Sequence, residues 1–195
     1  MSIFQLKQSL VDPVDLHGVI KIQFGRSDKK IFTYFTRLDQ ALILWGVAIA
    51  AVFLVAQCYW LDWFTQARLW SILSCLVLLV SSKLAWFWVT TRNQRWIVYL
   101  WSFLVLGGLG LTDYGIFAGW ALVLRNLCAL WLGLSAVGYV ATGIGIHAQA
   151  LLLTGAVHGI AILGLGLVPA HQFLLTGSVM SVSLFLLAMF HWDHR

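Results

Sequence analysis

The chain has 195 residues, 61% of them hydrophobic and only 10% charged, with a net charge of +5. Soluble domains average about 25% charged and 45–50% apolar residues, so a single water-soluble core has no room for this much apolar side chain. The basic residues lie mostly before or between apolar runs, which excludes nucleic acid as the partner and points to a lipid bilayer with anionic headgroups.

Residues 1–39 form the only substantial polar segment. Val19–Phe24 alternates apolar and polar after Ile20, Ile31–Thr36 is rich in β-branched and aromatic residues, and 25–30 between them is turn-like. The pattern reads as a β-hairpin or, equally, as an interfacial segment whose Lys and Arg side chains touch headgroups. An isolated hairpin is marginal, so it needs the membrane surface or a partner protein to pack on. Asp12-Pro13 is a turn signal within this segment. No short basic region followed by an apolar core opens the sequence, so the first apolar run is expected to remain as a span.

A helix needs about 20 apolar residues to cross a hydrocarbon core roughly 30 Å thick. Six runs qualify, at 41–60, 70–90, 96–112, 120–142, 149–168 and 172–191. The expected fold is an all-α membrane protein, a bundle of six transmembrane helices over 40–195 behind a short cytoplasmic polar segment at 1–39. With both termini inside, nine cations fall on the cytoplasmic side: Lys7, Lys21, Arg26, Lys29, Lys30, Arg37, Arg92, Arg95 and Arg195. Arg68 and Arg125 fall outside, and Lys83 snorkels inward from the second span. That asymmetry sets the orientation, cytoplasmic at both ends. Trp60, Trp63 and Trp70 mark one interface and Trp86, Trp88 and Trp96 the other. Cys58, Cys75 and Cys128 are odd in number and lack CxxC spacing, so they read as small core residues rather than a disulfide framework or zinc site.

Chemistry has few footholds. All seven acids are aspartates and none lies in the middle of an apolar run, which leaves no obvious proton-relay carboxylate. Arg125 sits about one and a half turns into the fourth span if that helix starts near Trp120, within snorkelling range. A helix starting at Gly115 would place it deeper, in need of Asp113 or a polar cavity. Gly155 and Gly159 flank His158 at the spacing that lets helices approach closely, and Gly177, Ser178 and Ser181 offer a matching face on the sixth span. Thr154 shares the face of His158, within reach of its imidazole. His17, His147, His171, His191 and His194 all lie at or beyond span ends. No second histidine therefore matches the depth of His158, which excludes a bis-histidine haem but leaves a single-ligand haem or chlorophyll site open beside a plain packing role.

Gly133-Leu134-Ser135-Ala136 resembles the Gly-x-Ser-Gly motif of rhomboid intramembrane serine proteases, which have a six-helix core and a Ser–His dyad. The resemblance implies Ser135 as nucleophile and His158 as base, and adjacent antiparallel spans would bring the two level. Ala136 stands where the motif has its second glycine, the histidine lies on the next span rather than the second after the serine, and no supporting His and Asn occur earlier. The same Gly-Ser-Ala face also serves helix packing. Gln172–Met180 together with His191-Trp192-Asp193-His194-Arg195 resembles uncharacterised multi-pass membrane proteins of cyanobacteria, which implies a thylakoid or plasma membrane. The leading expectation is a non-enzymatic membrane subunit or assembly factor that binds membrane protein partners, with a pigment at His158 as an option. The alternatives are an intramembrane serine hydrolase using Ser135 and His158, and a transporter of a small solute or lipid.

Overall fold

A computed structural model describes residues 5–6, 20–24, 31–59 and 61–191, with backbone alone at 5–6, 20–24, 31–34 and 191. The Asp12-Pro13 turn, the 25–30 turn, Trp60, His17, His194 and the terminal Trp192–Arg195 lie outside the described residues. Two short strands, β1 (Gln5–Leu6) and β2 (Ile20–Phe24), precede β3 (Ile31–Phe35), which pairs antiparallel with β2, Ile20 opposite Phe35 and Phe24 opposite Ile31. The rest is helical: α1 (Arg37–Cys58), α2 (Trp63–Thr91), α3 (Trp96–Phe117), the short α4 (Ala121–Arg125), α5 (Leu127–Ile146), α6 (Gln149–Gly164) and α7 (Gln172–Met189). The two-residue β4 (Phe190–His191) pairs antiparallel with β1, so residues near the two ends of the sequence meet at one end of the bundle. Six of the helices are long and apolar enough to cross a bilayer, as in a multi-pass integral membrane protein.

Local chemistry sets the helix ends and moves several of them from the positions that hydropathy predicts. The first helix starts at Arg37 rather than 41 because Thr36 and Asp39 form a capping box. The Thr36 amide donates to Asp39 Oδ2 at 2.8 Å while the Asp39 amide donates to Thr36 Oγ1 at 3.3 Å. In α2 the start is at Trp63 rather than 70, since Asp62 accepts the Thr65 amide at 2.9 Å as N-cap. The third helix runs to Phe117, not 112. It ends in a left-handed cap at Gly119 (φ +65), where the Trp120 amide donates to the Gly115 carbonyl and the Gly119 amide to that of Ile116. The fourth span is split: α4 stops at Asn126 and the span proper begins at Leu127. Between α5 and α6 only two residues intervene, and His147 takes the left-handed position itself (φ +56).

Five of the long helices form a ring. The first packs against α2 and along α7, α2 against α3, α3 against α5, and α5 against α7. The remaining span, α6, lies outside the ring, packed closely on α5 and more lightly on α7. Two apolar clusters knit the ends of the bundle. One gathers Ile97, Tyr139, Ile146, Leu151, Leu184 and Leu187. The other gathers Phe53, Cys128, Leu132, Leu165 and Met180. Only Cys128 of the three cysteines is buried; Cys58 and Cys75 are exposed on the bundle surface, so they are not core residues. Apolar side chains such as Phe103, Leu163 and Leu167 are exposed around the outside, where lipid rather than water is the matching solvent.

The small-residue seam expected between α6 and α7 does not form. A Cβ built on Gly155 would meet Val140 Cγ2 at 2.6 Å and the Ala136 carbonyl oxygen at 3.1 Å, both on α5, whereas Gly177 packs against Phe53 of α1. At Gly159 nothing lies within 4 Å of such an atom. Gly155 and Gly177 let two different helix pairs close up, because α6 pairs with its sequence neighbour across a two-residue turn and α7 is drawn to α1.

A candidate ligand-binding cavity inside the helix ring

The ring encloses a cavity of about 230 Å³. Its lining reaches from Leu38 to Ala56 on α1, from Trp70 to Val89 on α2, from Ile97 to Asp113 on α3 and from Leu127 to Ile146 on α5. On α1 alone that range corresponds to about 27 Å at 1.5 Å per residue, so the space follows the bundle axis through most of the membrane thickness. A typical pocket for a small molecule holds about 300–1,000 Å³ in a compact shape. A smaller volume drawn out over this length is a narrow slot. The outer span α6 contributes only Leu151 to the wall.

The wall is mostly apolar, and its serine hydroxyls are concentrated in a stripe on α2. Ser71, Ser74, Ser81 and Ser82 recur on α2 at helical spacing together with Leu78 and Ala85, so one face of α2 is turned to the slot. Ser81 turns its hydroxyl back to the Val77 carbonyl one turn earlier. Across the slot the Trp101 indole donates to Thr142 Oγ1 at 3.2 Å, and Thr142 in turn donates to the Gly138 carbonyl at 2.7 Å. Trp101 stacks edge-on against Tyr139, with ring centroids 5.1 Å apart. Gly138 makes this possible: a Cβ there would fall 2.7 Å from the Trp101 ring.

One end of the slot differs from the other. Near the start of α2 and the end of α3, Ser71 Oγ donates to Asp113 Oδ2 at 2.8 Å. Asp113 Oδ1 is enclosed and has no hydrogen-bond partner, and neither has the hydroxyl of Thr112 beside it. Phe53, Trp70 and Phe173 line this end, and Trp63 bridges them, 6.2 Å from Trp70 and 6.0 Å from Phe173 between ring centroids. No acid lines the opposite end, around Leu38, Trp88, Ile146 and Leu187, where the neighbouring Asp39 is buried in its capping box with Thr36. Extension of α3 by five residues brings Asp113 into the span, so an acid does lie within a span, about one turn from its end.

The residues singled out from sequence are divided between the slot and the packing outside it. Ser135 is buried and lines the slot. His158 is completely buried behind Tyr139, their ring centroids 5.0 Å apart, and does not line it. The Thr154 hydroxyl donates to the Ala150 carbonyl rather than to the imidazole; the imidazole Nδ1 lies 2.8 Å from the Thr154 carbonyl oxygen instead. That pairing makes Nδ1 the protonated nitrogen and leaves Nε2 without a partner. No hydrogen bond therefore joins Ser135 to His158. An orphan Nε2 is the atom a haem or chlorophyll would take, but at 0% exposure it offers no open coordination position, and the residues around His158 do not fit such a group in this packing. No group of three metal-ligating side chains occurs among the described residues.

Neither candidate intramembrane cation enters the slot. Arg125 lies on α4, ahead of the span, exposed and with Nε donating to the Ala121 carbonyl at 3.3 Å. Lys83 is exposed on α2. Trp70 and Trp88, expected at the interfaces, are turned inward to the slot, whereas Trp86 stays exposed under the Arg95 guanidinium at 5.8 Å. The spacing of the α2 serines is visible in the sequence, but only a helix that starts at Trp63 rather than 70 places Ser71 about two turns inside it.

Comparison with known protein families, curated proteins and solved structures finds no match for this chain.

Proposed function

We propose that the chain is a non-catalytic, multi-pass membrane protein that takes one slender apolar or amphipathic molecule, of the dimensions of a lipid tail, into the slot within its helix ring. The observation that carries this reading is the elongated, mainly apolar space lined from near one end of α1 to near the other. A polar solute finds few partners along such a wall, whereas an alkyl chain replaces lipid contacts with protein contacts at little desolvation cost. The role is that of a carrier or accessory subunit working with membrane protein partners. Its cytoplasmic side is the one rich in Lys and Arg, where a β2–β3 hairpin would present the N-terminal segment to a partner.

Five tryptophans on the wall, Trp45, Trp70, Trp88, Trp101 and Trp131, supply the readout. In lipid nanodiscs, 1-bromododecane is expected to quench tryptophan emission with a saturable component superimposed on the linear quenching of lipid-facing rings. Ser74→Leu and Ala85→Leu, which fill the slot from α2, are expected to remove the saturable component while the unfolding midpoint is kept. Quenching that is linear in wild type, or equally saturable in both filled variants, overturns the reading.

A further inference from the structure

The aromatic end of the slot holds acceptors that nothing in the protein uses. In the ordinary case a threonine inside an apolar helix returns its hydroxyl to the carbonyl one turn back, as Thr142 does to Gly138 and Thr154 to Ala150. Thr112 does not: it is 2% exposed, lines the slot, and its hydroxyl has no partner. Asp113, the next residue, lines the slot as well and is half-buried. One of its carboxyl oxygens is held by Ser71, and the other is enclosed without a donor. A buried polar group left unpaired in a low-dielectric setting is costly, and these two sit side by side. Ser74, one turn from Ser71 on the facing helix α2, adds another hydroxyl to the same stretch of wall. None of Arg68, Lys83 and Arg125 lines the slot.

We infer that this end is the head-group subsite of the slot: an amphiphile enters with its tail along the apolar wall and its N–H or O–H head against Asp113 Oδ1 and the Thr112 hydroxyl. The inference rests on the slot reading above and adds polarity and head chemistry to it. Asp113 Oδ1 lacks a donor, so the subsite suits a head that brings an N–H or O–H, such as a long-chain alcohol or amine, and leaves a carboxylate, which brings only acceptors, unpaired against it. The head sits about one turn from the end of α3, at the depth where an amphiphile's own polar group lies in a bilayer leaflet.

The test is competition against saturable 1-bromododecane quenching in nanodiscs, with dodecane, dodecanol, dodecylamine and dodecanoate as competitors. In wild type, dodecanol or dodecylamine is expected to displace the probe at roughly tenfold lower concentration than dodecane, a ratio corresponding to about one net hydrogen bond. Dodecanoate is expected to be the weakest of the four. An advantage for the amine alone assigns the head to a cation; an equal advantage for alcohol and amine assigns it to a neutral donor. Asp113→Leu is expected to abolish the advantage and leave dodecane unchanged. Thr112→Val, close in shape, is expected to reduce it severalfold without touching the fold. If all four compete equally in wild type while Ser74→Leu still blocks the probe, the head-group subsite is wrong and the slot stands. If no competitor and no filled variant changes the quenching, both fall.

Discussion

Gly155→Ala probes the crossing of α5 and α6 with one methyl group. The added Cβ would lie 2.6 Å from Val140 Cγ2, 3.1 Å from the Ala136 carbonyl oxygen and 3.2 Å from the Val140 amide nitrogen. The first of these atoms belongs to a side chain and can swing away; the other two are backbone, so relief requires the helices to move apart. Overpacking by a methyl costs about 1–3 kcal/mol, while alanine gains about 1 kcal/mol over glycine in helix propensity. A net loss of about 1 kcal/mol follows. Gly159→Ala, one turn along the same helix, meets nothing within 4 Å and keeps only the propensity gain. The two variants should therefore differ by about 2 kcal/mol in SDS-driven unfolding from mixed micelles. Adding Val140→Ala to Gly155→Ala should recover part of the loss, since it clears the methyl but leaves the backbone contacts. Equal stability of Gly155→Ala and Gly159→Ala would refute the helix crossing described here.

Ser135 and His158 make no contact of the kind a dyad needs, so a fluorophosphonate probe is expected to leave the protein unlabelled, and labelling of wild type that Ser135→Ala removes would reverse that expectation. The left-handed His147 at the α5–α6 turn should tolerate glycine with a change within about 1 kcal/mol, whereas the β-branched His147→Val should destabilise by about 1–2 kcal/mol more; equal midpoints in SDS unfolding would count against that turn. The Thr65 hydroxyl and amide hold the Asp62 carboxyl below its ordinary value. A carboxyl lowered on folding stabilises above its unfolded value, about 3.9, and that stabilisation is lost as pH falls through the lowered folded value. Exchange of the Thr65 amide should therefore accelerate at acid pH in wild type beyond intrinsic chemistry, and in Asp62→Asn the extra acceleration should vanish; an identical profile in both would remove the cap from the account.

Much of the fold is legible in the sequence because bilayer thickness leaves little freedom: an apolar run of about 20 residues has one sensible structure. The six runs are visible by hydropathy alone. The ends are less so, since Thr36, Asp62 and Gly119 act through hydrogen bonds and backbone conformation that hydropathy averages away. That averaging matters for chemistry. Five further residues on α3 take Asp113 from a loop into the wall of a slot. The site was obscured for a second reason. His158, the most conspicuous polar residue within a span, is satisfied at Nδ1 by its own helix and screened by Tyr139, while the hydroxyls facing the slot are ordinary serines and threonines. Nor does a hydropathy profile say which helices touch. The pairing of α1 with α7, the most extensive in the bundle, joins the first span to the sixth and, with the α5–α7 contact, turns five helices into a ring.

The α1–α7 contact has a consequence for biogenesis. Spans emerge from the ribosome in order, so α1, α2, α3 and α5 meet the bilayer before α7 exists. Until α7 arrives, the slot is an open groove, and lipid tails occupy the surface around Phe53 that Gly177 later covers. Closing the ring traps whatever lies in the groove at that moment or expels it. A protein assembled in this order has lipid at hand when the slot forms, so on the proposed reading the last span to arrive, α7, decides what the slot first holds.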